Sequence, residues 1–369
     1  GTFVGSVGVT LNNLSIKNFF KKGAWRPYPM GQNQRLSISA QTNGTYYKAF
    51  AISFTDPWMG GRKPNSFTIS AHYSDENNAY YAWQKGTRYF RTAGVAAGLG
   101  KRLDWPDPYF TFYAEASYER YMLKDWNTFV LKNGAANLLS IRLVLGRNSV
   151  DQPIYPRRGS DFSVSVQLTP PYSLWDGKDY KSTALSEQER YNWIEFHKWM
   201  LKGQWFTPLT RNGNLVLMAR AEMGYLGHYN KNKVSPFERF EVGGDGMSGY
   251  NIYGIDIISM RGYDDGALDP VGSNYSCAYN KYTMELRYPL LLKGQTNIYV
   301  LGFLEGGNGF TSWKEFSPFK IKRSAGIGVR LFLPVVGMVG VDWGWGFDPA
   351  AGQTKRSGSH IHFTMGMQF

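Results

Sequence analysis

The feature that most restricts this chain is a period-two alternation of apolar and polar residues running almost from end to end. Phe67, Ile69, Ala71 and Tyr73 alternate with Thr68, Ser70, His72 and Ser74. Phe162, Val164, Val166 and Leu168 alternate with Asp161, Ser163, Ser165 and Gln167, and Tyr282, Met284, Leu286 and Tyr288 with Thr283, Glu285 and Arg287. Near the end, Ile361, Phe363, Met365, Met367 and Phe369 stand against His362, Thr364, Gly366 and Gln368. Successive side chains of a strand point to opposite faces, so each segment builds a sheet with one apolar and one polar face. A soluble sandwich would bury the apolar faces against each other. Segments such as Tyr109 to Tyr121 and Leu215 to Tyr229 are long for a sandwich and carry aromatics at their ends. A strand that crosses a membrane needs ~9–11 residues and bears aromatics at the two interfaces. The pattern therefore predicts an all-β fold, a transmembrane antiparallel β-barrel.

Composition agrees. Charged residues are 19% of the chain and aromatics 16%, and glycine is heavily used. No run approaches the ~20 apolar residues of a membrane helix. The best candidate, Leu331 to Val341, is broken by Pro334 and closed by Asp342. The single cysteine, Cys277, excludes an intrachain disulfide and a cysteine-clustered metal site. The net charge of +13 is carried by lysines and arginines spread singly rather than in a patch, which speaks against nucleic acid. No signal peptide is visible. The chain opens at Gly1 as though already processed, and directly in alternation.

Counted back from Phe369, strands fall near 357–369, 335–347, 322–333, 296–309 and 280–290. Before a long interruption come 213–229, 191–208, 159–172, 137–148 and 109–126, then 87–102, 66–78, 45–56, 31–42 and 1–13. That is about fifteen, and single-chain bacterial barrels have an even number. The expectation is a single barrel domain over 1–369, of sixteen strands in the full protein, with a first strand missing before Gly1. Connections around Pro334 and Gly294 are tight, whereas 172–190, 230–279 and 348–357 are long. Short turns are periplasmic and long loops extracellular, which sets Phe369 on the periplasmic side. Leu14 to Gly31 is long yet falls on that side. Its Lys17, Lys21, Lys22 and Arg26, mixed with Phe19, Phe20 and Trp25, suit a headgroup-level anchor or a partner contact.

The longest segment without strand pattern, roughly Asn230 to Tyr279, holds EVGGDGMSGY (Glu241 to Tyr250, with the pair Gly243 and Gly244) and then MRGYDDG (Met260 to Gly266). Arginine offers donors in a rigid fork and the following glycine lets the backbone approach closely. With FTDPWM (Phe54 to Met59), YPRRGSDFSVSVQL (Tyr155 to Leu168) and the last three strands from Arg323 onward, these stretches resemble the barrel domain of the BamA family. That POTRA-barrel superfamily also contains translocation-and-assembly barrels, two-partner secretion exporters and organellar assembly and import barrels. The four matches lie in family order across nearly the whole chain. Met260 stands where the family usually has valine, an insertion separates the glycine pair from Arg261, and the POTRA domains expected before the barrel are absent.

The resemblance implies that the loop carrying Met260, Arg261, Gly262 and Tyr263 is extracellular, folds into the lumen and pairs Arg261 with an acid of the inner wall. Glu305 sits where the family carries that acid; Asp342 is the second candidate, and Asp264 or Asp265 would be local alternatives. It further implies a lateral seam between first and last strands, through which outer-membrane proteins are folded and inserted. The gate side visible here is the terminal strand with Phe363, Met365, Gly366, Met367 and Phe369. Implied partners are nascent outer-membrane β-barrel proteins, accessory assembly lipoproteins and outer-membrane lipids including lipopolysaccharide; the implied place is the bacterial outer membrane. A related two-partner secretion exporter or translocation-and-assembly barrel is the alternative. No serine elbow, phosphate loop or metal-ligand set appears, and His360 with His362 lack a third ligand, so neither enzyme activity nor a cofactor is expected.

Overall fold

The computed structural model describes residues 5–61, 64–79, 86–246, 254–272, 275–293, 296–333 and 337–365. Fifteen strands follow the alternation: β1 (Gly5–Leu14), β2 (Gln34–Thr42), β3 (Tyr47–Asp56), β4 (Asn65–Asn77), β5 (Tyr89–Arg102), β6 (Phe110–Lys124), β7 (Gly134–Asn148), β8 (Gly159–Leu168), β9 (His197–Pro208), β10 (Val216–Gly227), β13 (Ala278–Lys293), β14 (Thr296–Phe310), β15 (Lys322–Leu333), β16 (Gly337–Pro349) and β17 (Arg356–Met365). They form one sheet in chain order, with β10 hydrogen-bonded to β13. Among the described residues no helix is long and apolar enough to cross a membrane.

The strand bounds lie within a few residues of those read from alternation, with two corrections. The interruption over 230–279 contains two three-residue strands, β11 (Phe240–Val242) and β12 (Asp256–Ile258), paired in parallel. The stretch beginning at 191 is not yet strand. Ser186 and Glu189 form a capping box that starts a helical turn, α1 (Glu187–Tyr191), and β9 begins only at His197. The tight turns read around Gly294 and Pro334 rest largely on residues 294–295 and 334–336, outside the described residues, as do Gly366, Met367 and Phe369.

Two compact units divide the chain. The first comprises Gly1–Leu145, Val166–His197 and His228–Pro236. Its strands β1 to β6 are antiparallel neighbours, from Gly5↔Thr42 to Arg102↔Thr111, with one register shift in β1 between Leu11 and Leu14. The β2–β3 turn shows how its tips close: Asn43 accepts the backbone N–H groups of Thr45 and Tyr47 through its side-chain oxygen, while Gly44 takes a positive φ of 83°.

The second unit comprises Gly146–Ser165, Lys198–Gly227 and Phe237–Phe369. Register rows cross it: Thr283, Glu305, Ser324 and Gly346 stand side by side, as do Arg287, Leu301, Gly328, Asp342 and His362. These residues share one face. On β16 the other face carries Val341, Trp343, Trp345 and Phe347, all exposed, whereas Asp342 is fully buried. An exposed aromatic and aliphatic face backed by a buried polar one inverts a soluble sandwich and matches a sheet whose outer solvent is lipid.

If that outer face lies in lipid, the cost of a charge there depends on depth. Val341→Arg, mid-strand, is expected to lower unfolding free energy in lipid vesicles by ~2–4 kcal/mol, and Phe347→Arg, near the strand end, by ~0–1 kcal/mol. Equal small losses in a urea titration would place the face in water.

Candidate functional site

The site is built where residues 237–246 and 254–272 lie on the polar face of β13–β17. Strand β11 pairs with β12, and backbone bonds extend the pairing: Gly243 N–H donates to Ile258 O (3.0 Å), Met260 N–H to Gly244 O (2.8 Å) and Leu268 N–H to Val242 O (3.0 Å). Gly243 and Gly244 have φ of 139° and 72°. A Cβ on Gly243 would meet the Asp264 carbonyl at 2.3 Å, so glycine lets the two arms of the loop touch.

At the tip, Arg261 enters a ring of carboxylates. Its backbone N–H donates to Glu305 Oε2 (2.9 Å), and its Nε and Nη2 donate to Glu305 Oε1 (3.1 and 2.6 Å). Nη2 also reaches Glu285 Oε1 (2.7 Å) and Nη1 reaches Asp342 Oδ2 (3.5 Å). The guanidinium lies 3.7 Å over the Phe303 ring. Each acid has a second cation: Arg287 on Glu285 (2.7 Å), Arg330 on both oxygens of Asp342 (2.7 Å each) and Lys281 near Glu305 (4.0 Å). All these groups are buried. Burial alone would lower the arginine's pKa; Glu305, Glu285 and Asp342 outweigh it and hold the guanidinium more firmly charged than usual.

The residues beside Arg261 lock the insertion. Gly262 N–H donates to His362 Nε2 (2.8 Å), which requires that nitrogen to be unprotonated, and Tyr263 Oη donates to Arg323 O (2.8 Å). Gly262 adopts a φ of 88° and presses on β16: a Cβ on Gly344 would meet Gly262 N at 2.8 Å, and one on Gly346 would meet Gly262 O at 2.3 Å. Met260 is buried with its sulfur against Gly307. This is a docking site made of charge and close backbone contact; among the described residues no cluster of three or more His, Cys, Asp or Glu is arranged to hold a metal ion.

A family model, the Omp85 superfamily domain, matches residues 30–369. The chain belongs to the Omp85 superfamily. Among its relatives is the outer membrane protein assembly factor BamA of Neisseria meningitidis serogroup B, 23% identical over 258 residues, 64% of this chain and 27% of that protein. The chain thus spans about a quarter of that relative. Among solved structures, BamA from Haemophilus ducreyi lacking POTRA domains 1–3 superposes with a TM-score of 0.65 at 16% identity, covering 98% of this chain and 66% of that one. CdiB from Escherichia coli superposes at 0.53 with 12% identity, covering 98% and 62%. At these identities the likeness establishes the fold, an outer-membrane β-barrel of the Omp85 type.

Within this Omp85 domain the structure joins Arg261 to both wall acids named from sequence, Glu305 by three hydrogen bonds and Asp342 by a longer contact. Asp264 turns instead to His360 Nδ1 (3.2 Å). The rings of His360 and His362 stack at 6.0 Å, and His362 serves as a hydrogen-bond acceptor for the loop. Glu285, Arg287 and Arg330 were not singled out by sequence. The available signal was charge on the polar positions of β13 and β15, two strands flanking Glu305.

Deeper in the loop, Asp269 Oδ1 accepts from Ser276 Oγ and Val242 N–H, while its buried Oδ2 has no hydrogen-bond partner. Burial pushes this carboxyl up to about 8 despite those bonds, with Glu241 adding to the rise. A carboxyl whose folded pKa lies above its unfolded value near ~4 binds its proton more tightly when folded, so its contribution is most favourable at low pH and declines as pH rises toward the folded pKa. Protection factors for the Leu268 and Gly309 amides, which bridge this segment to β11 and β14, are expected to fall between about pH 4 and 8 and then level. Asp269→Asn should flatten that dependence. An unchanged slope in the variant would remove Asp269 from the docking of the loop.

Proposed function

We propose that this Omp85 domain is the single membrane barrel of an outer-membrane assembly factor, which accepts nascent outer-membrane β-barrel proteins at the seam beside β17 and folds them into the bilayer. The reading draws on the relationship to BamA, an outer membrane protein assembly factor, and on the loop docked by Arg261. In this reading the Arg261–Glu305 pair, with Glu285 and Asp342, holds the extracellular loop inside the lumen and keeps the wall in shape. The strands do the work of exchange at their edge. In this reading β17 runs toward the periplasmic side, and accessory lipoproteins and lipopolysaccharide-containing lipid are the surrounding partners.

The observation that carries the edge role is at Phe363. Its side chain is exposed, and its backbone N–H donates to the carboxylate of loop residue Asp245 (3.2 Å). A side-chain oxygen there occupies the donor that a neighbouring strand's carbonyl would take. An incoming strand competes for such edge donors by β-augmentation. Gly340, Gly344 and Gly346 on β16 leave little side chain behind this edge on the polar face, where strands are weakest. The exporter alternative shares the fold, as the CdiB likeness illustrates, but has no need of an exchangeable edge.

The test is a disulfide placed across the seam between β17 and the strand facing it in the full-length protein. Sealing the seam is expected to abolish assembly of reporter barrels into proteoliposomes, with activity returning on reduction. Full assembly through a sealed seam would exclude the mechanism and leave the exporter reading.

A further inference from the structure

The connection between β1 and β2, residues 15–33, lies ahead of the part matched by the family model as far as Pro29, and nothing in the loop-docking mechanism uses it. It is a built structure. A 3₁₀ turn over Ile16–Asn18 follows β1, Leu14 bridges to Met30, and Ser15 N–H donates to Pro29 O (2.9 Å). Fully buried Ser15 donates through its hydroxyl to Gln32 Oε1 (2.9 Å), and Asn18 donates to Met30 O (3.2 Å).

This frame presents aromatic rings outward. Phe19 stands edge-on to Phe20 (5.4 Å) and to Trp25 (5.0 Å), and Trp25 Nε1 donates to Phe19 O (3.0 Å). Phe20 is nevertheless 92% exposed and Trp25 55%. Around them Lys17, Lys21, Lys22 and Arg26 are all exposed. No acid occurs before Asp56, and Asp56 is engaged with Gln34 Nε2 (2.9 Å) and Trp58 N–H (3.0 Å). The register places the next two connections at the same end of the sheet, and they carry exposed Trp58 and Trp105. The connection joins β1 directly to β2, and β1–β3 carry an exposed apolar face with Val7, Val9, Ile38 and Phe50.

Rings held rigidly in the open and ringed by cations need a medium that is apolar on one side and anionic on the other. We propose that residues 15–33 seat anionic phospholipid headgroups. Phe20 and Trp25 enter the leaflet beside the outermost strands, and Lys21, Lys22 and Arg26 contact the phosphates. Continuity with the lipid-facing strands favours a lipid surface over an acidic protein. The inference rests on the outer-membrane placement of the barrel and not on its assembly activity.

Native mass spectrometry of the full chain in mild detergent, offered equal phosphatidylglycerol and phosphatidylcholine, reads the seat without any client protein. Wild type is expected to retain phosphatidylglycerol preferentially. The triple variant K21Q/K22Q/R26Q should lose that preference by about fivefold per cation removed, the equivalent of the ~1 kcal/mol a basic residue contributes near an anionic surface. F20S/W25S should lower retention of both lipids while keeping their ratio, and heat-modifiable gel migration confirms that each variant is folded. Absence of preference in wild type, or its persistence in the folded triple variant, would overturn the proposal. So would displacement of bound lipid by soluble glycerophosphoglycerol, since that would make the seat a phosphate site without a membrane component.

Discussion

The second unit of this structure depends on one buried cluster of charge: Arg261, Arg287 and Arg330 against Glu285, Glu305 and Asp342. Removing ions of either sign from water is costly, and attraction in a poorly solvated space offsets that only when every oxygen and guanidinium is matched. Two of the three arginines sit on the strands themselves. The third arrives on the loop. Without it, Glu305 would keep only Thr283 (3.2 Å) and a distant Lys281 among the described residues. Glu305 therefore meets a cation at hydrogen-bond distance only with Arg261 in place, and this favours one docked position for the loop tip.

Shape follows from that charge. To bring the guanidinium onto Phe303 and the carboxylates, the backbone at Gly262 must lie against β16, and β16 has glycine at 344 and 346 where it does. The same strand then places Trp343 and Trp345 outward and pairs with β17, whose His362 holds the Gly262 amide. Loop, wall and terminal strand are mechanically one assembly. A loosened loop would release a contact on the strand that the proposed function uses as its edge.

Much of this was legible in the chain. Alternation located fifteen strands and separated the exposed face of Ile361 and Phe363 from the buried face of His362, because a one-residue periodicity error would reverse every side chain. The motif around Arg261 pointed to a wall acid, and Glu305 bonds to it three times. Glu285 and Arg287 were legible only as polar-face residues, because alternation reports which face a residue takes and not which neighbours stand beside it across strands. The short strands β11 and β12 escaped because three residues carry no period. The helical turn at Glu187 had a sequence cue, the Ser186 and Glu189 capping box, which the alternation downstream obscured. Asp269 is made unusual chiefly by burial, with Glu241 adding to the effect, and local sequence encodes neither.

The central claim is that Arg261 and Glu305 act as a coupled pair fixing the loop to the wall. A double-mutant cycle with Arg261→Gln and Glu305→Gln, read as unfolding free energy in lipid vesicles, tests it most directly. Each single change is expected to cost ~3–5 kcal/mol by leaving a buried charge uncompensated. The double variant should lose less than the sum, with a coupling of about 1–3 kcal/mol. Additivity within ~0.5 kcal/mol would mean that the two residues stabilise the barrel independently, and the account of a loop held by charge would fail.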